Sequence, residues 1–332
     1  MTTDLRVSLG SLTLPNPVLV AAGTFGYGVE FQRALHVDQL GGLVTKTLTR
    51  APRTGNPPPR LVETPSGMLN SVGLQNPGLD AFLRDILPGV KGLGVPVIVS
   101  VLGESPDDVA CMVRTLDGAD GVDAIELNLS CPNLNTRHET GDMRRETSLT
   151  SQVSSLKSDL MVAQDPEATE AVVRAARAAT RKPLIAKLSP DVTDITPIAR
   201  AAEGAGADAL AVGNTFTGMS LDPVRRGSRL GSMTGGLSGP AIRPLAVYRV
   251  WRVARAVRCP VVGIGGIVTA EDAMEFLLAG ATAVAVGTAT FADPSAPLKV
   301  LRGLHRYLTR TNCPSLRDVI GRLTPCAQPP RD

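Results

Sequence analysis

Aromatic side chains are scarce, with six Phe, three Tyr and one Trp in 332 residues. Nucleic-acid partners are held by basic grooves lined with stacking rings. A net charge of +3 and so few rings exclude that class of partner. No apolar run reaches the ~20 residues of a membrane-spanning helix, and the longest, about Ala279 to Ala292, is interrupted by Gly and Thr. The first ten residues carry Asp4 and Arg6 and have no apolar centre of the kind an export signal needs. A cytoplasmic protein away from the membrane is expected. Its five cysteines (Cys111, Cys131, Cys259, Cys313 and Cys326) are irregularly spaced and form no C-x-x-C pair. Neither a metal nor an iron–sulfur site is therefore expected, and the thiols should be reduced. Only three histidines occur, none beside a Ser or Cys. Any chemistry then falls to Lys, Cys and Asn.

What is present is a 43% hydrophobic, 20% charged chain able to fill a core, with 33 Gly and 26 Pro to turn it sharply. Eight short, nearly continuous apolar runs read as strands buried on both faces: Val18–Ala22, Leu43–Thr47, Val97–Leu102, Ala124–Ser130, Leu184–Leu188, Ala209–Asn214, Val261–Ile264 and Ala283–Gly287. Helical spacing falls between them, as in Val172, Ala175, Ala176 and Ala179, or in Ala273, Phe276 and Leu277 before a capping Gly280. Acidic residues at Asp107–Asp108, Asp165–Glu167 and Glu271–Asp272 suit helix starts. Eight such units in series predict a closed (β/α)8 barrel, preceded by a small hairpin over residues 5–14 that plugs its bottom. An open doubly wound sheet would want an early G-x-G-x-x-G, and none follows the first strand. Length alone suggests two domains, but the strand count predicts one domain over residues 1–332. Long loops follow strands two, four and six, on the face where barrel enzymes build their sites. Residues 134–164 read as an insertion, and 312–332 as a flexible tail.

Three features of that face carry chemistry. Gly263-Ile264-Gly265-Gly266-Ile267 and Val286-Gly287-Thr288 end the last two strands, where backbone N–H groups can approach a phosphate unobstructed; plain tight turns are the alternative. Lys46 and Lys187 each interrupt an apolar strand, which calls for an anionic or strongly polar group opposite, whether a ligand or a structural ion pair. Cys131 sits in a polar, Pro-containing turn after strand four, unlike Cys111 and Cys259, which suit packing. Asn70, Asn76, Asn128, Asn133 and Asn214 cluster near strand ends and long loops, as turn residues or as amides for a planar ring.

Several longer motifs resemble dihydroorotate dehydrogenases from about Leu14 to Arg310. They are Thr45-Lys46-Thr47, Arg53-Thr54-Gly55-Asn56-Pro57, Asn70-Ser71-Val72-Gly73-Leu74-Gln75-Asn76-Pro77-Gly78, Ser130-Cys131-Pro132-Asn133, Gly235-Gly236-Leu237-Ser238-Gly239-Pro240 and Gly263-Ile264-Gly265-Gly266. The Cys in Ser-Cys-Pro-Asn is similar to the soluble class, and the Asn70–Gly78 run to its NAD-linked catalytic subunit rather than to the fumarate-linked enzyme. The resemblance implies FMN held by Ala22, Lys46, Thr47, Ser100, Asn128, Lys187, Gly213, Gly239, Gly265, Gly266, Gly287 and Thr288. It implies dihydroorotate, or its product orotate, held by Lys46, Asn70, Ser71, Val72, Gly73, Leu74, Asn128, Asn133, Asn214 and Thr215, with Cys131 as general base. It further implies a homodimeric core and a partner subunit carrying FAD and an iron–sulfur cluster. Ala22 stands where the family usually has Ser, Ser100 where it usually has Asn, and the segment after Asn133 is longer than the family's lid. The rival readings are a flavin enzyme acting on other dihydropyrimidines, a non-catalytic flavin binder, and a flavin-free barrel lyase or isomerase acting on a sugar phosphate.

Overall fold

Apolar runs too short for helices and lacking alternation have one good solution, a parallel strand covered on both faces. The computed structural model, which describes residues 3–129 and 162–324, adopts it eight times. In chain order the strands are β1 (Val7–Leu9), β2 (Leu12–Leu14), β3 (Val18–Val20), β4 (Gly42–Val44), β5 (Leu61–Thr64), β6 (Gly67–Asn70), β7 (Val97–Val101) and β8 (Ala124–Asn128). They continue as β9 (Leu184–Leu188), β10 (Ala209–Val212), β11 (Phe216–Gly218), β12 (Leu221–Asp222), β13 (Gly227–Ser228), β14 (Gly235–Ser238), β15 (Val261–Ile264) and β16 (Ala283–Val286). Strands β3, β4, β7, β8, β9, β10, β15 and β16 pair in that order, all parallel, and β16 closes onto β3. This is the (β/α)8 barrel expected. Every residue of β7, β8 and β9 is buried. Several strands end one to three residues early, leaving Ala22, Lys46, Thr47 and Asn214 past the ladder. There the regular ladder gives way to isolated bonds, such as Lys46 N–H to the Gly26 carbonyl at 2.9 Å and Leu48 N–H to the Ser100 carbonyl at 2.8 Å.

The helices begin where the acidic residues suggested. Ser105 caps Pro106–Asp117 by accepting the Asp108 N–H at 3.1 Å. Asp165 caps Pro166–Ala179, and Thr269 with Asp272 forms a reciprocal capping box on Ala270–Ala279. Gly280 ends that helix at φ 114°, a left-handed conformation open to glycine. Among the described residues no helix is long and apolar enough to cross a membrane.

The hairpin β1–β2 covers the N-terminal end of the barrel. Val7, Leu9 and Leu14 are buried, and Gly10 backs onto Asp208 just before β10 begins. The start of the expected flexible tail is packed instead. Asp4 N–H donates to the Pro314 carbonyl at 2.9 Å, Leu316 N–H returns to Asp4 at 3.0 Å, and Leu316 is fully buried. Gly321 N–H also reaches Leu277 at 2.9 Å. An apolar Leu316 with satisfied backbone neighbours has no reason to leave the core, and the correction extends as far as Arg322, whose N–H reaches the Val319 carbonyl at 3.1 Å. Residues 325–332 and 130–161, the latter holding most of the expected insertion over 134–164, lie outside the described residues.

A second sheet, unforeseen from the sequence, sits over the C-terminal face. Hairpin β5–β6 from the loop after strand two pairs with β14 and β11 from the loop after strand six, in the antiparallel order β11-β14-β6-β5. Gly236 faces Asn70, and Ser238 faces Met68. Glycine is required at position 236, since a Cβ there would lie 1.9 Å from the Thr215 hydroxyl.

Candidate active site

The C-terminal strand ends and the second sheet line an open cleft. Its base takes Asn128 and Lys187 from the ends of β8 and β9, with Lys46 and Thr47 from beyond β4. One wall is Gly265, Gly266, Gly287 and Thr288; the roof carries Met68, Asn70, Val72 and Leu74. Ala22, Asn214, Thr215 and Gly239 complete the predicted residues that reach it.

Lys187 has the most demanding environment. Its side chain comes from the barrel interior, only 5% of the residue is exposed, and it makes no hydrogen bond or ion pair with any described residue. Burying an ammonium unpaired costs several kcal/mol, so the fold carries a cation that a ligand in the cleft can satisfy. The other partner its strand position allowed, a structural counter-ion, is absent among the described residues. Lys46 is already engaged, and a Cβ on Gly23 would sit 3.4 Å from its Nζ.

The glycine wall is built for close approach. Gly266 has φ 73°, and a Cβ there would come within 2.8 Å of the Gly239 carbonyl oxygen and of the Arg243 Cβ. The turn is braced from behind. Arg243 pairs with Asp272, whose second oxygen accepts N–H groups from Val268 at 2.9 Å and Thr269 at 2.8 Å. One buried carboxylate thus caps a helix and steadies the turn at the cleft. Gly213 does not line the cleft; a Cβ on it would lie 2.2 Å from the Ile264 carbonyl, so it serves the close packing of β10 on β15.

The run Asn70–Gly78 divides by role. Asn70, Val72 and Leu74 line the cleft, whereas Ser71 is buried and accepts from Asn56 Nδ2 at 2.7 Å. Gly73, at φ 71°, packs against Asn56 outside the cleft lining. Leu74 holds φ 55°, a conformation rare for a branched side chain and found where surrounding structure enforces it. Asn76 does the enforcing. Its amide donates to the Leu74 carbonyl at 2.8 Å and to Thr49 Oγ1 at 2.9 Å, while its oxygen accepts from Thr49 N–H at 3.2 Å and Gly78 N–H at 2.9 Å. Asn76 is therefore a structural hub, separate from the amides that face the cleft.

Ser100 differs from its implied role as a cofactor contact. It is fully buried behind Thr47, with its Oγ 3.0 Å from Thr47 Oγ1 and donating to Glu126 at 2.9 Å. Serine is too short to pass Thr47 and reach the cleft. Glu126, buried behind the cleft, carried no expectation from sequence, and nor did Leu61, Met68, Ser238, Ile242 or Phe291, which line the cleft. Cys131 and Asn133 lie outside the described residues. Among the other thiols, burial, seconded by Glu203, pushes Cys259 up to about 12, as befits a packing residue.

Comparison with known proteins agrees with this geometry. A family model described as "Dihydroorotate dehydrogenase" matches residues 4–308. The chain is 47% identical over 323 residues to a protein of Trichlorobacter lovleyi named dihydroorotate dehydrogenase B (NAD(+)), catalytic subunit, covering 97% of this chain and 99% of that one. A protein of the same name from Desulforudis audaxviator is 49% identical over 321 residues, covering 97% and 98%. Another, from Bacteroides thetaiotaomicron, is 45% identical over 320 residues, covering 96% and 99%.

Proposed function

The chain belongs to the dihydroorotate dehydrogenase family, and on that premise we propose that it oxidises (S)-dihydroorotate to orotate for pyrimidine synthesis, using FMN. The observation that carries the cofactor is Lys187, a buried cation without a described partner at the base of a cleft walled by glycine. An electron-rich ring whose reduced form is anionic satisfies that cation. The bare backbone at Gly265, Gly266, Gly287 and Thr288 suits its phosphate. Lys46, Thr47 and Asn128 would flank the ring, with Gly239 and Ala22 closing the pocket.

FMN, when bound, supplies the acceptor for the hydride that leaves C6. The remaining work belongs to the chain. Lys46 holds the substrate carboxylate, and Asn70, Asn128, Asn214 and Thr215 orient the ring through its amides. Cys131 takes the proton from C5, which requires a thiolate and so is helped by neighbouring positive charge. The roof of β6 and β14 keeps water from the reacting carbons. We place the reaction in the cytoplasm, where such a thiol stays reduced.

The names of the relatives, catalytic subunits of NAD-linked enzymes, support a separate partner that passes electrons to NAD. We propose that it carries FAD and an iron–sulfur cluster, and that the catalytic chain itself forms one FMN-binding domain and pairs as a homodimer. Exposed Met219, Leu221 and Val224 on the loop after strand six support the pairing.

The test is direct. Purified protein should be yellow, release FMN, and bleach when mixed anaerobically with dihydroorotate. Cys131→Ala should keep the colour and lose the bleaching. A colourless protein without extractable FMN would favour a sugar-phosphate lyase, and a yellow one that never bleaches would favour a flavin binder.

A further inference from the structure

Four side chains run in a line from the cleft into the barrel interior. Asn128 Nδ2 donates to Thr47 Oγ1 at 3.0 Å, Thr47 Oγ1 lies 3.0 Å from Ser100 Oγ, and Ser100 Oγ donates to Glu126 Oε1 at 2.9 Å. All four residues are buried, and Glu126 makes no ion pair among the described residues. A hydroxyl has one proton to give. Ser100 gives its proton to Glu126, so Thr47 must donate to Ser100, and Thr47 is then left with lone pairs for Asn128. Every donor along the line points toward the carboxylate.

That direction has a consequence at the cleft. An asparagine amide can turn over, exchanging its oxygen and nitrogen with little change in shape. If Asn128 turned over, its oxygen would meet Thr47, whose proton is already committed, and two acceptors would face one another. We propose that Glu126, acting through Ser100 and Thr47, is a positioning residue that locks the Asn128 amide in one orientation and so sets which hydrogen-bonding partner the substrate ring meets. This rests on the dihydroorotate reading above only for the identity of that ring. Glu126 itself is buried outside the cleft lining. The barrel makes the relay possible because β4, β7 and β8 are consecutive neighbours: Ser100 and Glu126 pair across β7 and β8, and Thr47 follows the end of β4 beside them.

Substituting Glu126 separates an acceptor from a merely well-packed side chain. Glu126→Gln keeps an oxygen that can accept from Ser100, whereas Glu126→Leu keeps bulk and loses the acceptor. With Leu, the Ser100 proton can turn toward Thr47, Thr47 can turn toward Asn128, and the line no longer favours one amide orientation over the other. An orientation mispaired with the ring weakens binding by about tenfold, the usual scale for a polar group left facing the wrong partner. Glu126→Leu should therefore raise KM for dihydroorotate about tenfold with a smaller fall in kcat, and Glu126→Gln should restore KM to within about threefold of the native value. Ser100→Ala, which removes the middle link with little loss of volume, should behave as Glu126→Leu does and serves where that variant fails to fold. In an Asn128→Ala background, neither change should raise KM further, because the group they orient is gone.

A second readout needs no turnover. In the protein without substrate, the side-chain NH2 of Asn128 should exchange slowly with solvent in the native and Glu126→Gln forms. It should exchange at least about tenfold faster in Glu126→Leu or Ser100→Ala, as a bond that is no longer held in one direction opens more often. Unchanged exchange in those two variants, or a KM penalty that persists undiminished without Asn128, would overturn the proposal. If the native protein fails to oxidise dihydroorotate while the exchange pattern holds, the substrate assignment falls and the orienting relay stands.

Discussion

Replacing Lys187 by methionine should push stability and cofactor binding in opposite directions. The residue is 5% exposed and has no described partner, so in the flavin-free protein its charge is a net cost. Methionine keeps most of the volume and removes the charge. Exchanging buried charge for apolar volume typically gains ~1–4 kcal/mol. At roughly 2 °C per kcal/mol for a chain of this size, the stripped variant should melt about 2–8 °C above the stripped native protein. With flavin the balance reverses. A charge-assisted hydrogen bond contributes ~1.5–3 kcal/mol, so FMN affinity should fall by roughly 10- to 100-fold. Thermal melts of flavin-stripped samples give the first quantity, and titration with FMN followed by its fluorescence quenching gives the second. A stripped variant that melts below the native protein would mean that Lys187 is paired and supports the fold. Undiminished FMN affinity would show that the cation faces something else.

Three further outcomes follow from other parts of the site. Gly266→Ala places a Cβ 2.8 Å from a backbone oxygen at φ 73°; with ~1–2 kcal/mol of left-handed strain, FMN should bind about tenfold more weakly. Equal affinity by the same titration would remove the glycine wall from the phosphate argument. Asn76→Ala leaves the Leu74 carbonyl and the Thr49 and Gly78 N–H groups without their partner, and should cost ~2–3 kcal/mol in urea unfolding. A shift within error would show that Leu74 needs no such hold. Cys259, pushed up to about 12 by burial, keeps its proton across the neutral range. Only ~1 molecule in 10⁴ is thiolate at pH 8, so iodoacetamide should label it only after unfolding, as peptide mass spectrometry can read.

The barrel was legible because parallel strands covered on both sides leave a plain signature, continuous apolar runs such as Leu184–Leu188 between helical stretches. The charge inside that run exposed Lys187 by the same logic, since a cation among Leu, Ile and Ala needs a reason. The second sheet left no such trace. Gly235–Ser238 reads as a turn, and it becomes a strand only by pairing with Met68–Asn70, more than 160 positions earlier in the chain. The asparagines were also indistinct. Asn76 and Asn128 present the same amide near the end of a strand or in a long loop, yet one ties a loop together and the other faces the cleft. Ser100 and Glu126 were hidden by depth, because alternation along a strand says which side a residue faces and not how far its side chain reaches.

The ladder between β6 and β14 also governs how the cleft can open. A single loop over an active site can swing on its own two ends. Here the loops after strands two and six are joined through Asn70 and Gly236, so neither lifts without breaking the hydrogen bonds that bind it to the other. The roof therefore behaves as a fixed canopy, and traffic of substrate and product must pass along its open margins.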